Sequence, residues 1–499
     1  MADAPSGFRR ALILVTLTST VALYAMTVTI ANVSLPQMQG ALSATTDQIA
    51  WVVTFNIVAT AVATPMTGWL TARFGQRKLL LGAVGGFAVA SLLCGLADSL
   101  EMLVLFRVLQ GAFGAPLPPL SQAIVLQTYP QRLHGPVTAV FGMGVVLGPI
   151  IAPAIGGYLS EEYGWRWVFY MIVPFAVASF IACWAFVPEG GRQARVRLDW
   201  TGFLVISAAV ASLQLMLDRG ERLSWFESPE IVIELSIAVI GLYLLLVHSA
   251  THDRPFLNPA LFRDRNFVVG MLLTLIFGML NFTPMTLLPP MMKALQGYPD
   301  SVIGVLLATR GAGTLLGFFA LLIGARADPR IWLVLGFGLQ GLAGLYMTGF
   351  DITVPYGNIV VASFLQGLGV GFLWVPLTLI TFSTLNPVLL PDGSAIFHLL
   401  RNLGSSIHIS ISVALVLHTT KINYGHLTEA ISAFEKQLQF PWVLGHWSAD
   451  STGGLAALSG EVQRQGLMIG YLNAFYFYAF TAFAVLPLIA LVRYRKATH

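Results

Sequence analysis

Arg107 lies within an apolar run (102–126), and Arg310 and Arg401 lie within two others, 301–323 and 394–419. A guanidinium at membrane depth is costly unless it faces the interior of a helix bundle or a wet cavity. Twelve of the chain's apolar runs carry no Asp or Glu at mid-run to balance these charges; Glu234, near the start of the run 229–249, falls outside that set. The chemistry on offer is therefore anion recognition, with imidazole as the remaining proton carrier. Gln110 follows Arg107 by three residues and shares its helical face. His398, Arg401, Ser405 and His408 follow i, i+3, i+7, i+10 spacing, which predicts one shared face. Two readings stand for the histidines: proton carriers, because imidazole changes charge near neutral pH, or polar glue between helices. Arg107 likewise reads as part of a substrate or proton pathway or as a structural pairing. An electropositive cavity predicts ligands that are amphiphilic weak acids or neutral aromatics rather than lipophilic cations. A weak acid can also carry a proton itself. Trp51, Phe55, Phe282, Phe372 and Trp374 are candidates for the apolar part of such a pocket, or for plain packing.

The elements that position these residues are membrane spans. Of 499 residues, 56% are hydrophobic and 10% charged, against about 25% charged in a soluble domain. Fourteen apolar runs, from 11–33 to 466–492, predict an all-α integral membrane protein with fourteen helices. An even number places both termini on one side of the membrane. Most of the 27 basic residues fall in the loops on that side, which makes it cytoplasmic. A net charge of +4 spread this way is no nucleic-acid signal. Cys94 and Cys183 fall inside apolar runs and read as packing residues. The first run continues past Asn32 without a small-residue cleavage site, so it reads as a retained helix. No His-Glu-x-x-His, nucleophile elbow or paired carboxylate appears in or beside the runs. The sequence therefore predicts neither an enzyme nor a resident metal or cofactor.

The layout reads as a six-helix bundle (1–187), two inserted helices with flanking cytoplasmic loops (188–266), and a second six-helix bundle (267–499). Gly68–Lys78, after the second run, is weakly echoed at Gly324–Arg330 after the tenth. Paired halves of this kind are typical of secondary transporters, which bind substrate near mid-membrane between them. In the first copy, Gly68 and Gly75 permit close approach and a tight turn. Arg73, Arg77 and Lys78 can bind helix carbonyls or an acid of the other bundle as a latch, and they also obey the positive-inside rule. The fifth run (136–159) holds Gly144, Gly148, Pro149, Pro153, Gly156 and Gly157 without a charge. Such a glycine face suggests a bent helix packed tightly on a moving partner, or an ordinary small-residue packing helix. The external loop 420–465 contains a candidate amphipathic helix, Leu427–Leu438, followed by Pro441, Trp442 and Trp447.

Gly144-x3-Gly148-Pro149-x3-Pro153-x2-Gly156-Gly157 resembles the fifth-helix motif of the 14-helix drug:proton antiporters of the major facilitator superfamily, with Ala152 where a third glycine is usual. The resemblance extends over nearly the whole chain. It is carried by Ile30-Ala-Asn32, Gly68–Lys78, Phe106-Arg107-Val-Leu-Gln110-Gly111, Trp165-Arg166-Trp167, Asp199-Trp200-Thr-Gly202, Leu217-Asp218-Arg219-Gly220-Glu221, Arg401-Asn402-Leu403-Gly404 and Gln463-Arg464-Gln465-Gly466. It implies the major facilitator fold and proton-driven multidrug efflux by alternating access in a bacterial inner membrane. It further implies a periplasmic membrane-fusion adaptor and an outer-membrane channel as partners. The loop 420–465 and the turn 218–230 are the candidate docking surface. The family pattern has an Asp three residues before Ile30 that pairs with the arginine of the fourth helix; here that position is Thr27. Metabolite uptake and a non-transporting scaffold remain as alternative readings.

Overall fold

A computed structural model describes residues 7–189, 197–252, 255–324, 327–429 and 451–492, together with the single positions 431 and 440. The membrane helices are α1 (Gly7–Val33), α2 (46–74, with a 3-10 step at Thr64–Met66), α3 (Gln76–Gly95), α4 (Leu100–Thr128), α5 (His134–Tyr163), α6 (Trp167–Phe186) and α7 (Trp200–Arg219). They continue as α8 (Pro229–Thr251), α9 (Arg265–Gln296), α10 (Asp300–Ile323), α11 (Pro329–Met347), α12 (Tyr356–Phe382), α13 (Leu390–Glu429) and α14 (Thr452–Ala484). Thirteen of them meet the length and hydropathy of a membrane span among the described residues. The fourteenth, α5, is 30 residues long and carries no Asp, Glu, Lys or Arg before Glu161.

Helices α1–α6 pack as one bundle and α9–α14 as a second, so the fold is that of the major facilitators with an inserted pair. The halves echo one another beyond the 2–3 turn. Leu109-Gln110-Gly111 in α4 repeats as Leu365-Gln366-Gly367 in α12, at the same separation along the chain as Gly68 and Gly324. Both glycines lie against a backbone carbonyl, of Asn56 and Arg310 respectively, which a Cβ would strike. Thr60 donates to the Gly111 carbonyl (3.3 Å) and Thr314 to the Gly367 carbonyl (3.0 Å). A hydroxyl bonding across a glycine contact is a recurrent way to join helices where hydrophobicity gives no drive.

The inserted pair lies across one seam between the bundles. α7 touches α2 through Asp218 and Thr54, and it touches α13 through Gln214 and Ser406 (2.9 Å) and through Ser410 and the Leu217 carbonyl (2.7 Å). Its partner α8 is held by Arg219, which pairs with Glu234 and with Glu230 (3.4 Å). Asp199 caps α7 by accepting the Gly202 N–H at 3.0 Å. Burial alone would raise the Asp199 carboxyl, but hydrogen bonds from Gly202, His248 and Phe256 outweigh it and hold it below the usual carboxylate range.

Two expectations change here. The run 394–419 marks only part of α13, which spans 40 residues, Leu390 to Glu429. At about 1.5 Å per residue that is about 60 Å, twice a hydrocarbon core. Beyond residue 419 the sequence turns polar, yet the helix continues because α14 runs beside it, with Tyr424 and Ser459 bonded at 2.9 Å. Within the predicted loop 420–465, residues 420–429 and 452–465 are therefore helical, and the candidate helix Leu427–Leu438, Pro441, Trp442 and Trp447 fall mostly outside the described residues. At its other end α13 starts four residues before the apolar run does, which brings Asp392 into its first turn.

Candidate functional site

α5 joins the halves. Gly144, Gly148, Ala152 and Gly156 form one i+4 row, and three of them lie against Thr18, Ala22 and Ile30 of α1, themselves an i+4 row that includes Met26. Rows of this spacing interlock when helices cross closely. A Cβ on Gly148 would strike the Ala22 carbonyl and stand 3.2 Å from the Met26 nitrogen. Ala152 is fully buried where the row tolerates one methyl. Gly157 is half-buried beside the row, and α5 runs unbroken through Pro149 and Pro153. On its other side α5 meets the second bundle, where Gly142 lies 2.5 Å (to a would-be Cβ) from the Trp374 ring and 3.0 Å from Phe318.

The ends of the bundles that lie on the face of the α1 start, here the terminal face, are in contact across the seam. Gly68 of α2 packs against Asp392 of α13. Gln127 donates to the Pro387 carbonyl (3.3 Å) and Gln131 to the Ser383 carbonyl (3.2 Å). Deeper in, the His398 Nε2–H of α13 donates to Gln122 Oε1 of α4 at 2.7 Å. The structure is thus closed on the terminal face. The expected latch cations work differently. Arg73 stacks on Trp69 (5.6 Å). Arg77 turns to the Trp184 carbonyl and to Glu189 (3.4 Å) of its own bundle. Lys78 is exposed, and Gly75 makes the turn with φ +84°. Among the described residues, no acid of the other bundle is paired with Arg73 or Arg77; an aromatic face and a helix-end carbonyl lie nearer.

The arginines separate into two kinds. Arg107, 1% exposed, donates from Nε to the Val52 carbonyl (3.1 Å) and from Nη1 to Gln110 Oε1 (2.5 Å), and lies over the Phe169 ring at 5.8 Å. Gln110 in turn donates to Ser91 (2.8 Å). Thr27, where an acid was absent from the sequence, is buried and bonded to its own Leu23 carbonyl at 2.9 Å. The carbonyl of α2 thus satisfies Arg107 without a counter-charge. Arg310 is likewise held inside the second bundle, by the Asn281 carbonyl and side chain, both at 2.7 Å. These two tie helices within a bundle, and of the three arginines it is Arg401 that lies at the seam. Arg107→Leu, leaving the Val52 carbonyl and Gln110 unpaired in a dry interior, should lower stability by about 2–4 kcal/mol, read as loss of monodisperse protein on heating in detergent.

Arg401 is different. Its guanidinium lies 5.4 Å over the Trp374 ring, which α5 touches from the first bundle, and its one side-chain bond is to the neighbouring Asn402 at 3.2 Å. His398 packs 6.2 Å from the same ring. Around this point Arg401 Nε, Trp374 Nε1, Gln122 Nε2 and His398 Nδ1 are all buried without a hydrogen-bond partner among the described residues. Most buried polar atoms are partnered, and these four lie together at the seam. Three are N–H donors, one of them on the Arg401 guanidinium itself, a combination suited to a carboxylate.

His408 does not share this site. Thr283 gives its hydroxyl proton to the Met279 carbonyl (2.7 Å), so the His408 Nδ1–H donates to Thr283 at 2.9 Å. The His408 ring stacks on Phe477 at 4.7 Å. Ten residues at about 100° each put His398 and His408 about 80° apart around α13, enough for them to meet different neighbours. Asn32 is exposed at the end of α1. The five aromatic candidates also divide. Trp51 and Phe55 meet edge to face (6.5 Å) and line a small cleft with Leu215 and Arg219 of α7. Phe372 pairs with Trp332 at 5.0 Å, and Phe282 is half-buried. Only Trp374 belongs to the seam. Sequence reasoning missed Gln122 and Asp392; a polar residue nearly two helix turns from the end of α4 carries no local signal of a partner on α13.

Helical halves related by repeat, a membrane-depth polar site on their seam and a closed terminal face define a secondary transporter. Residues 17–408 match the model of the Major Facilitator Superfamily. The chain is 34% identical to the multidrug export protein EmrB of Escherichia coli K12 over 94% of this chain and 92% of that one. It is 31% identical to the fatty acid resistance protein FarB of Neisseria gonorrhoeae, over 93% and 92%. The proton:xylose symporter XylE shares the fold, with a TM-score of 0.60 at 13% identity over 96% of this chain and 97% of that one. The chain belongs to the major facilitator superfamily and, within it, to the EmrB-like drug efflux permeases.

Proposed function

We propose that this permease exports amphiphilic small molecules, hydrophobic weak acids among them, from the cytoplasm across the inner membrane in exchange for protons. The observation that carries the substrate class is the group of unpartnered donors around Arg401 and Trp374. A carboxylate there satisfies the Arg401 guanidinium and up to two further N–H groups, of Trp374 and Gln122, and its apolar tail meets the seam. The name of the relative FarB, a fatty acid resistance protein, supports this chemistry. Loop charge puts both termini in the cytoplasm, so closure of the terminal face corresponds to an outward-facing state. Opening it means parting Gly68 from Asp392 and His398 from Gln122. Both are titratable cross-seam contacts, and we assign them the coupling that Thr27 cannot supply. Asp392 and His398 are therefore the proton-carrying candidates in this chain, while Arg107, Arg310 and His408 hold helices together.

The paired ends of α13 and α14 suit a periplasmic adaptor, with an outer-membrane channel beyond it, because paired helices that extend past the apolar run present a rigid surface. In inverted vesicles, acidification of the lumen should drive uptake of a fluorescent fatty acid. Removal of residues 430–450 should leave that uptake intact while abolishing export from whole cells. Uptake driven in right-side-out vesicles instead would make the chain an importer.

A further inference from the structure

The terminal face of the inserted pair carries a side-chain cluster that transport does not use. His248 lies in the last turn of α8 and His252, four residues on, is its C-cap, which brings the two imidazoles together at the helix end. Their rings lie 4.8 Å apart between centroids, tilted by 33°. Facing them is Asp199, whose Oδ2 stands 2.7 Å from His248 Nε2. One ligand-capable atom from each of Asp199, His248 and His252 lies within 4.8 Å of the other two. The carboxylate is aimed by two backbone donors, Gly202 N–H on Oδ1 (3.0 Å) and Phe256 N–H on Oδ2 (2.9 Å). Outer hydrogen bonds of this kind orient metal-ligating side chains. A single His–Asp bond is enough to join the start of α7 to the end of α8. The second imidazole packs on the first and is exposed.

We propose that Asp199, His248 and His252 form a binding site for a divalent transition-metal ion of the zinc class. Two imidazoles and one carboxylate are a ligand set that zinc accepts with a fourth position open to water. Magnesium and calcium prefer shells made of oxygen. In a tetrahedral shell with bonds of about 2.0 Å the ligand atoms stand about 3.3 Å apart. The side-chain torsions of exposed His252 can supply the closing movement. The bound ion would staple α7 to α8 and, through Phe256, to the connection that leads into α9.

The site is independent of what the permease carries, and its test needs no transport. Full-length protein bearing no oligohistidine tag is titrated in detergent with Co2+, followed by the ligand-field bands of tetrahedral cobalt, and then with Zn2+ in competition. The expected result is one equivalent per chain, with affinity reduced about tenfold or more in both H248A and H252A. Asp199 also caps α7, so the histidine variants decide, with gel filtration to show that each remains folded. Substoichiometric binding by the wild type, or binding by folded H248A and H252A equal to the wild type, would overturn the site.

Discussion

Replacing Gly148 with Leu should abolish export while the protein still inserts and remains monodisperse. A side chain there meets the Ala22 carbonyl and the Met26 nitrogen, which belong to backbone and cannot rotate away. α5 must then retreat from α1, but its other face is already against Trp374 and Phe318 through Gly142. Overpacking of this kind costs about 1–3 kcal/mol in a core that can relax, and α5 has little room to relax in. Because α5 touches both bundles, the strain falls on the surface that must slide. Transport in reconstituted vesicles is expected to fall to background. Ala152→Gly, which deletes the one methyl in the same row, removes a packing contact worth about 1 kcal/mol and should leave transport near the wild-type rate. Equal loss in the two variants would contradict the row as the moving contact.

The second large effect is at Arg401. Removing one member of a buried, hydrogen-bonded charge pair costs about 3–5 kcal/mol, which corresponds to a rise of about two to nearly four orders of magnitude in the KM for a hydrophobic carboxylate. Arg401→Gln should show that rise and leave a neutral aromatic substrate within about tenfold of its wild-type KM. Arg401→Lys keeps the charge but loses the planar fork and the stacking on Trp374, so it should fall between. Competition of labelled decanoate and a neutral dye in vesicles separates the two. A parallel loss of both substrates would assign Arg401 to structure rather than to recognition.

The architecture was largely legible in the sequence, because apolar length reports membrane thickness directly. Its helix ends were less so. Residues 420–429 read as loop by hydropathy but are helical through pairing with α14, and Asp392 sat outside the apolar run that its helix contains. The site was legible only in part. Arg107, Arg310 and Arg401 look alike in sequence, as lone cations in apolar runs. What separates them is whether a carbonyl of the same bundle lies within reach, as Val52 and Asn281 do for the first two. His398 and His408 share a periodicity, yet one meets α4 across the seam and the other meets α9. Periodicity orders residues around one helix; it is silent on which neighbour each sector faces.

The proposed function is exchange of an amphiphilic substrate for protons through the α4–α13 seam. Its most direct measurement is proton flux in liposomes containing purified protein and a pH-sensitive dye, in the absence of any imposed gradient. Addition of a neutral amphiphilic substrate on the terminal face should move protons against the substrate. The flux should be lost when Asp392→Asn and His398→Gln are combined, while substrate binding remains. Proton flux in that double variant equal to the wild type, or substrate movement with no proton flux in the wild type, would contradict the account.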